Sequence, residues 1–261
     1  MKEGLDELAT FACRLADAAR GETLIDASGL DVRSKAPAGA YDPVTSADVN
    51  AETAMRSLIL QTYPGHGVAG EELGDQDGSE ARYRWSLDPI DGTRSFICGL
   101  PHWVTLIALL DANTPILGVI DAPRLGERYI GHEGRAVLVT PQGEKPLQAS
   151  GCFRVEDARF STTDPFLFDR GEFDAVDRLR RAARMTRYGL DGYAYARLAA
   201  GSIDLVVESG LRAHDLNALI PVIKAAGGTI GDWSGSHDFS RGRVVAAATE
   251  ELYREAVSIL S

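Results

Sequence analysis

Two aspartates three residues apart, Asp88 and Asp91, stand at the end of the short aromatic-rich run Tyr83 to Leu87. Pro89 fixes its own backbone and restricts Asp88, while Gly92 permits a tight turn. Such a loop can aim Asp88, the Ile90 carbonyl and Asp91 at one point. Oxygen-only donors of this kind suit a hard cation such as Mg²⁺, which takes its ligands at about 2.0–2.1 Å. The same residues would serve equally as a polar turn with both carboxylates in water. Three further acidic positions extend the pattern. Glu71 follows the apolar Val68-Ala69 at an expected strand end, and Asp215 opens an expected helix. Asp48 lies early in another helix. Taken singly, Asp215 and Asp48 are what helix capping and the helix dipole ask for.

The elements that must hold these groups are legible as patterns. Leu5, Leu8, Ala9, Ala12, Leu15, Ala16 and Ala19 recur at helical steps. A polar loop through Lys35, Pro37, Gly39 and Pro43 follows. Thr45 and Ser46 then offer hydroxyl caps to a second helix, which Pro64 and Gly65 end. Val104 to Leu110 and Pro115 to Ile120, parted by a polar turn, read as a hairpin, with further strands at Tyr129-Ile130 and Ala136 to Val139. The first part is therefore expected to be helices followed by an antiparallel sheet. A boundary is placed at Pro141, giving an N-terminal unit 1–141 and a C-terminal unit 142–261. The second alternates: helix 172–184, helix 193–200, strand 203–207, helix 215–226, strand 244–247 and helix 250–260.

Composition removes some classes of function. With 261 residues, 44% of them hydrophobic, the chain can bury a core unaided. Its 38 acidic against 27 basic side chains give a net charge of -11, which disfavours nucleic acid and anionic membranes. Three separated cysteines fit a reducing compartment, and neither a signal-peptide core nor a membrane-length apolar run is found. A cytoplasmic protein is expected. Asp75-Gln76-Asp77-Gly78-Ser79 mimics an aspartyl-nucleophile phosphatase motif but lacks the apolar strand before it. There is no Gly-x-Ser-x-Gly elbow for a serine hydrolase, and the five histidines show no ligand spacing.

Asp42-Pro43-Val44-Thr45-Ser46-Ala47-Asp48, Gly70-Glu71-Glu72, Asp88-Pro89-Ile90-Asp91-Gly92-Thr93 and Asp215 through Ala225-Ala226-Gly227-Gly228 together resemble, in order, the signatures of the inositol monophosphatase superfamily. The resemblance spans about residues 5 to 260, and departs where His214 stands in place of the usual Trp before the Asp. It implies an α+β fold, a layered α/β/α/β/α sandwich, and usually a homodimer. It also implies that Glu71, Asp88, Asp91, Asp215 and the Ile90 carbonyl bind two or three Mg²⁺ ions. Carboxylates gathered this closely would repel or take up protons without such cations. By the same resemblance Thr93, paired with Asp48 and near Glu71, orients a metal-activated water for in-line attack on phosphorus. Backbone N–H groups of Gly92 and Thr93 would hold the phosphate. Lys35 falls where family members often place a lysine near a third metal, though a solvated surface lysine explains it as well.

The substrate must be read from other residues. Glu208, at a strand end before Asp215, matches a position that meets the organic part of the substrate. Asp191, in Tyr188-Gly189-Leu190-Asp191-Gly192-Tyr193, stands where inositol-type members are similar in carrying small uncharged residues. Glu208 and Asp191 together would favour a cationic leaving group; alternatively Asp191 caps the next helix. Ser95 to Pro101, Thr105 to Leu109, Gly118 to Arg128, and Ala199 to Glu208 resemble the histidinol-phosphatase branch. The expected reaction is therefore hydrolysis of a small phosphorylated metabolite, L-histidinol phosphate foremost. Inositol monophosphate, other sugar phosphates, nucleotide 3′-phosphates and a catalytically inactive metal-binding scaffold are the alternatives. The full set of metal and water-orienting residues argues against the last.

Overall fold

A computed structural model describes residues 4–25, 31–34, 43–79 and 82–261. Lys35, and Asp42 at the head of the first motif, lie outside the described residues. In chain order the elements are α1 (Leu5–Thr23), β1 (Val32–Ser34), β2 (Pro43–Thr45), α2 (Ser46–Thr62), β3 (Gly67–Gly70), β4 (Gly74–Gln76), β5 (Tyr83–Asp91) and α3 (Thr93–Ile97). Next come β6 (Val104–Asp111), β7 (Thr114–Ala122), β8 (Glu127–His132), β9 (Arg135–Thr140), β10 (Gly143–Pro146) and β11 (Arg159–Thr162). The remainder is α4 (Arg170–Ala182), β12 (Met185–Tyr188), α5 (Gly192–Ala199), β13 (Leu205–Glu208), α6 (Ala213–Asn217), α7 (Leu219–Ala225), β14 (Thr229–Gly231), β15 (Val244–Ala247) and α8 (Glu250–Leu260).

These elements stack in five layers. The larger sheet runs β10-β9-β8-β7-β6-β5-β3-β4 and is antiparallel except where β3 meets β5. The smaller runs β12-β11-β13-β15-β14. One face of the large sheet takes α1 and α2 through Leu8, Leu15, Met55 and Ile59, which meet Trp85, Leu87, Ile107 and Val119. Its other face packs on α5, α6 and α7, which in turn cover the small sheet at Val206, Val244 and Ala246. The far face of the small sheet takes α4 and α8 through Val176, Leu179, Leu252 and Ala256. The fold is thus the α+β layered sandwich that the motifs imply. No described helix is long and apolar enough to cross a membrane.

Several local outcomes differ from the sequence expectations. The segment expected as one helix over 215–226 starts at Ala213 and is broken at Ala218. Pro221 explains the break, because it has no N–H for the carbonyl four residues back and its ring crowds that carbonyl. In the first turn of α7 the same proline is harmless. The short strands β11 and β12 were not expected; Arg159-Phe160-Ser161-Thr162 and Met185-Thr186-Arg187-Tyr188 lack a sustained apolar run. The large sheet also continues through the turn after Pro141 into β10.

Helices α6 and α7 lie unusually close to the large sheet because two glycines face them. Gly118 on β7 and Gly131 on β8 are paired across the ladder. A β-carbon at Gly118 would stand 2.1 Å from the Ala218 carbonyl oxygen, and one at Gly131 would stand 2.3 Å from Val222 Cα. Backbone atoms cannot swing aside as a side-chain tip can. Gly131→Ala is therefore expected to cost about 1–3 kcal/mol through overpacking, read as a lowered midpoint in urea with an unchanged slope.

Candidate active site

The two aspartates expected in a loop beyond a strand lie within the strand itself. On β5 the ladder to β6 pairs Asp88 with Leu106 and Asp91 with Val104, so three steps on one strand match two on the other. This is a β-bulge. Without it, residues three apart would face opposite sides of the sheet. With it, Asp88 and Asp91 both face the central helices. Thr105 Oγ1 donates to the Pro89 carbonyl at 2.7 Å, satisfying a group that the bulge frees from the ladder. The Ile90 N–H donates to Asp88 Oδ1 at 3.1 Å. The Ile90 side chain is buried with Ala47, Phe96 and Trp103, which anchors the turn.

Three other elements complete the acidic cluster. Glu71 follows β3, its N–H donating to the Leu87 carbonyl at 3.2 Å, and its carboxyl reaches Asp88. Asp215, in the first turn of α6, accepts from the Arg212 N–H at 2.6 Å, with His214 Nε2 3.5 Å away. Helix α6 packs on β5 and β6, and Asn217 Nδ2 donates to Ser86 Oγ at 3.1 Å, tying it down. Asp91 Oδ2 accepts from the Gly192 N–H at the start of α5. One carboxylate oxygen each from Asp88, Asp91 and Asp215 lies within 4.8 Å of the others.

Burial first, then mutual repulsion, pushes Asp88 well above the usual carboxylate range; Glu71, Asp91 and Asp215 are the repelling neighbours. Asp91 is likewise raised by burial and then by Asp191 and Asp215, and Asp215 by burial despite His214. Hard oxygen donors held this close, repelling one another, fit a divalent cation of the Mg²⁺ type.

Glu71, Asp91, Gly92, Thr93, Arg94, Asp191, Arg212, His214 and Asp215 line one cleft of about 290 Å³, shared with Pro43, Thr163, Leu167 and Gly210. Thr93 opens the five-residue α3, and its hydroxyl donates to the Ile90 carbonyl at 3.1 Å. Gly92 before it has φ +86°, a conformation that glycine adopts freely. Asp48 is buried at the third position of α2, where its Oδ2 accepts from the Thr45 N–H at 2.8 Å and the Thr45 hydroxyl at 2.6 Å. The helix-start explanation for Asp48 is thus realised as a capping box. Strand β2 packs against α3, which brings the start of α2 to the Thr93 side of the site.

The substrate-side residues are less uniform. Asp191 occupies the residue before α5 but makes no side-chain cap bond, and its backbone has φ +47° and ψ -142°. Its carboxylate instead stands over Gly92, where a β-carbon would be 2.9 Å from Asp191 Oδ2, and lies 3.4 Å from Ser95 Oγ. Ser95 Oγ is in turn 3.1 Å from His102 Nε2. Ser95 was not singled out from sequence as a site residue; His102 stands close enough to the Asp-Pro-Ile-Asp-Gly-Thr motif to be expected near the pocket, in a supporting or surface role. Glu208, at the end of β13, is buried and accepts from the Thr163 N–H at 2.7 Å. Burial moves its pKa up to about 8.

This layered architecture with its acidic cleft is that of the inositol monophosphatases: the structure superposes on an inositol monophosphatase from Zymomonas mobilis with TM-score 0.85 and 35% identity, covering 99% of both chains. The model of the inositol monophosphatase family matches residues 4–261, and the chain belongs to that family. It is accordingly a phosphomonoester hydrolase. A chloroplastic bifunctional phosphatase, IMPL2, of Arabidopsis thaliana is 43% identical over 260 residues, spanning 93% of this chain and 74% of its own. A histidinol-phosphatase of Mycobacterium tuberculosis is 34% identical over 235 residues, spanning 86% of this chain and 87% of its own.

Proposed function

We propose that the chain hydrolyses L-histidinol phosphate to L-histidinol and phosphate with Mg²⁺ as cofactor. The observation that carries this is Asp191. A non-glycine residue at positive φ costs free energy, and such residues gather where function requires them. Here the cost places an additional carboxylate on the cleft wall beside Gly92, without the capping bond that would otherwise explain it. An amino alcohol leaving group gives that carboxylate a cationic partner; an inositol ring offers it only neutral hydroxyl donors. Similarity to a histidinol-phosphatase supports the reading. Similarity to the Zymomonas inositol monophosphatase favours inositol monophosphate as the second reading.

In this reading Glu71, Asp88, Asp91, Asp215 and the Ile90 carbonyl hold the metal. When bound, Mg²⁺ supplies positive charge to the phosphate oxygens and eases ionisation of water. Thr93, whose hydroxyl proton is engaged by Ile90, offers its lone pairs to the attacking water. Glu71 accepts from the same water, and Asp48 is held by Thr45 at the start of α2, on the Thr93 side of the site. The N–H groups of the Gly92-Thr93 turn hold phosphate oxygens. Asp191 pairs with the substrate ammonium. Glu208 meets the organic part of the substrate; burial raises its pKa, and a cation beside it would favour its ionised form.

Phosphate release from a panel of phosphomonoesters with Mg²⁺ tests the assignment. Histidinol phosphate is expected to give the highest kcat/KM; a higher value for inositol 1-phosphate would reverse it. Asp191→Ala should reduce kcat/KM for histidinol phosphate by about 10–100-fold, the worth of a charge-assisted hydrogen bond. An uncharged sugar phosphate should lose far less. Equal losses on both would end the case for cation recognition, and no turnover on any ester would favour the inactive scaffold.

A further inference from the structure

Glu71 sits on the turn between β3 and β4, and turns of this kind are ordinarily mobile. Here the turn is gripped from beneath by two residues of α2 that no part of the chemistry above employs. Glu52 is fully buried, with 0% exposure, yet it carries a carboxylate. Its Oε2 accepts from the Glu72 N–H at 2.8 Å and its Oε1 from the Leu73 N–H at 3.1 Å. Arg56, one helical turn on and also buried, donates from Nε to Glu52 Oε1 at 2.7 Å. The same guanidinium donates from Nη2 to the Gly74 carbonyl. Every backbone group from Glu71 to Leu73 that could donate is therefore engaged: Glu71 by Leu87, the next two by Glu52.

Gly70 is the feature that admits this arrangement. A β-carbon there would stand 2.0 Å from Glu52 Oε1 and 2.7 Å from Arg56 Nη2. Only a residue without a side chain lets the buried carboxylate come up under the turn. An ion pair kept solely for stability has no need of this geometry, since buried pairs are weak stabilisers that apolar residues can replace. A carboxylate that ties two successive amides next to an acidic cleft residue does something more specific.

We infer that Glu52 and Arg56, admitted by Gly70, are positioning residues that hold the Glu71 turn in the geometry required for divalent-metal binding. This rests on the metal-site reading given above. Groups that orient ligands from outside the coordination sphere change metal affinity by about 10–100-fold when altered. The clamp acts before any metal arrives, so its loss should appear as weakened affinity more than as lost turnover at saturating metal.

The test uses the full chain and Mn²⁺ as probe, with binding followed by paramagnetic resonance and Mg²⁺ binding followed by calorimetry. Glu52→Gln, which keeps the shape but loses the charge, is expected to raise the Kd for Mn²⁺ by about tenfold or more. Hydrogen exchange at the Glu72 and Leu73 amides should quicken, and kcat should recover when Mg²⁺ is raised. Gly70→Ala, which pushes Glu52 away without altering it, should reproduce the weakened binding. The two changes together should be no worse than the more severe one, because they break the same contact. A pair with only a structural role would lower the melting temperature of Glu52→Gln and leave its Kd, measured well below melting, as in the parent; that result overturns the inference. If Glu52→Gln fails to fold, Gly70→Ala with unchanged Kd and unchanged exchange overturns it equally. A parent chain that binds neither Mn²⁺ nor Mg²⁺ would instead bring down the metal-site reading, and the clamp with it.

Discussion

Asp88→Asn is expected to lower kcat/KM by about 10³-fold, the loss of several kcal/mol of metal-borne charge stabilisation, while making the metal-free protein more stable. The two effects have one cause. Asp88 is buried among Glu71, Asp91 and Asp215, and its carboxyl is held well above the ordinary range by burial first and repulsion second. An acid whose folded pKa lies above its unfolded value contributes stability that is fully present below the unfolded value. That contribution is lost as pH rises towards the folded one. The metal-free parent should therefore lose stability from about pH 4 upward through that raised value. Asparagine at position 88 does not ionise, so the variant should melt higher than the parent, with the gap widening from pH 5 to pH 8. Added Mg²⁺ should raise the melting temperature of the parent far more than that of the variant. Full activity in Asp88→Asn would remove this residue from the metal site; equal melting curves at pH 8 would show that the cluster stores no repulsion.

Asp121→Ala is expected to be the most destabilising of the substitutions considered, by about 3 kcal/mol, the lower end for breaking a buried ion pair. Asp121 on β7 has no exposed surface. It accepts from Arg20 at 2.7 and 2.8 Å and from Arg128 at 2.7 Å. Arg128 also donates to the Cys13 carbonyl at 3.2 Å and to Asp17 at 2.6 Å. The network thus fastens α1 to the large sheet at a place where the core offers it mostly alanines. Arg20 keeps about a quarter of its side chain in water, which softens the loss and sets the figure at the lower end. For a chain of this size the expected fall in melting temperature is about 6–12 °C. Asp121→Asn keeps an acceptor and should lose less. A change of under about 1 kcal/mol in Asp121→Ala would place this network among the surface pairs that contribute little.

Much of the cleft was legible because carboxylates, prolines and glycines announce themselves by type. Asp88, Asp91, Glu71, Asp215 and Thr93 are brought together as the motifs imply. What sequence could not convey was backbone phase. The aromatic run Tyr83 to Leu87 was readable as a strand, but its continuation through Pro89 depends on pairing with β6, a partner chosen only on folding. The clamp beneath Glu71 was hidden for a related reason: nothing in the i,i+4 spacing of Glu52 and Arg56 sets them apart from a surface pair, and only the long-range fold buries them. Asp191 was visible as an unusual charge, whereas its positive φ and missing cap bond were not. The break between α6 and α7 was written in the chain at Pro221, a signal outweighed by the apolar periodicity around it.

The bulge on β5 has a consequence for how this segment can change. Upstream of it, Trp85 and Leu87 face the α1–α2 core, and Ser86 and Asp88 face the central helices. The extra residue shifts that alternation by half a cycle, so the motif is defined as much by its count as by its chemistry. Pairing Asp88 to Asp91 one for one with β6, at unchanged length and without the bulge, would turn Asp91 outward, away from the Gly192 amide; deleting one residue between them would instead close the bulge and keep both carboxylates on one face. The bulge, and not the spacing of the two aspartates alone, therefore decides which way Asp91 faces.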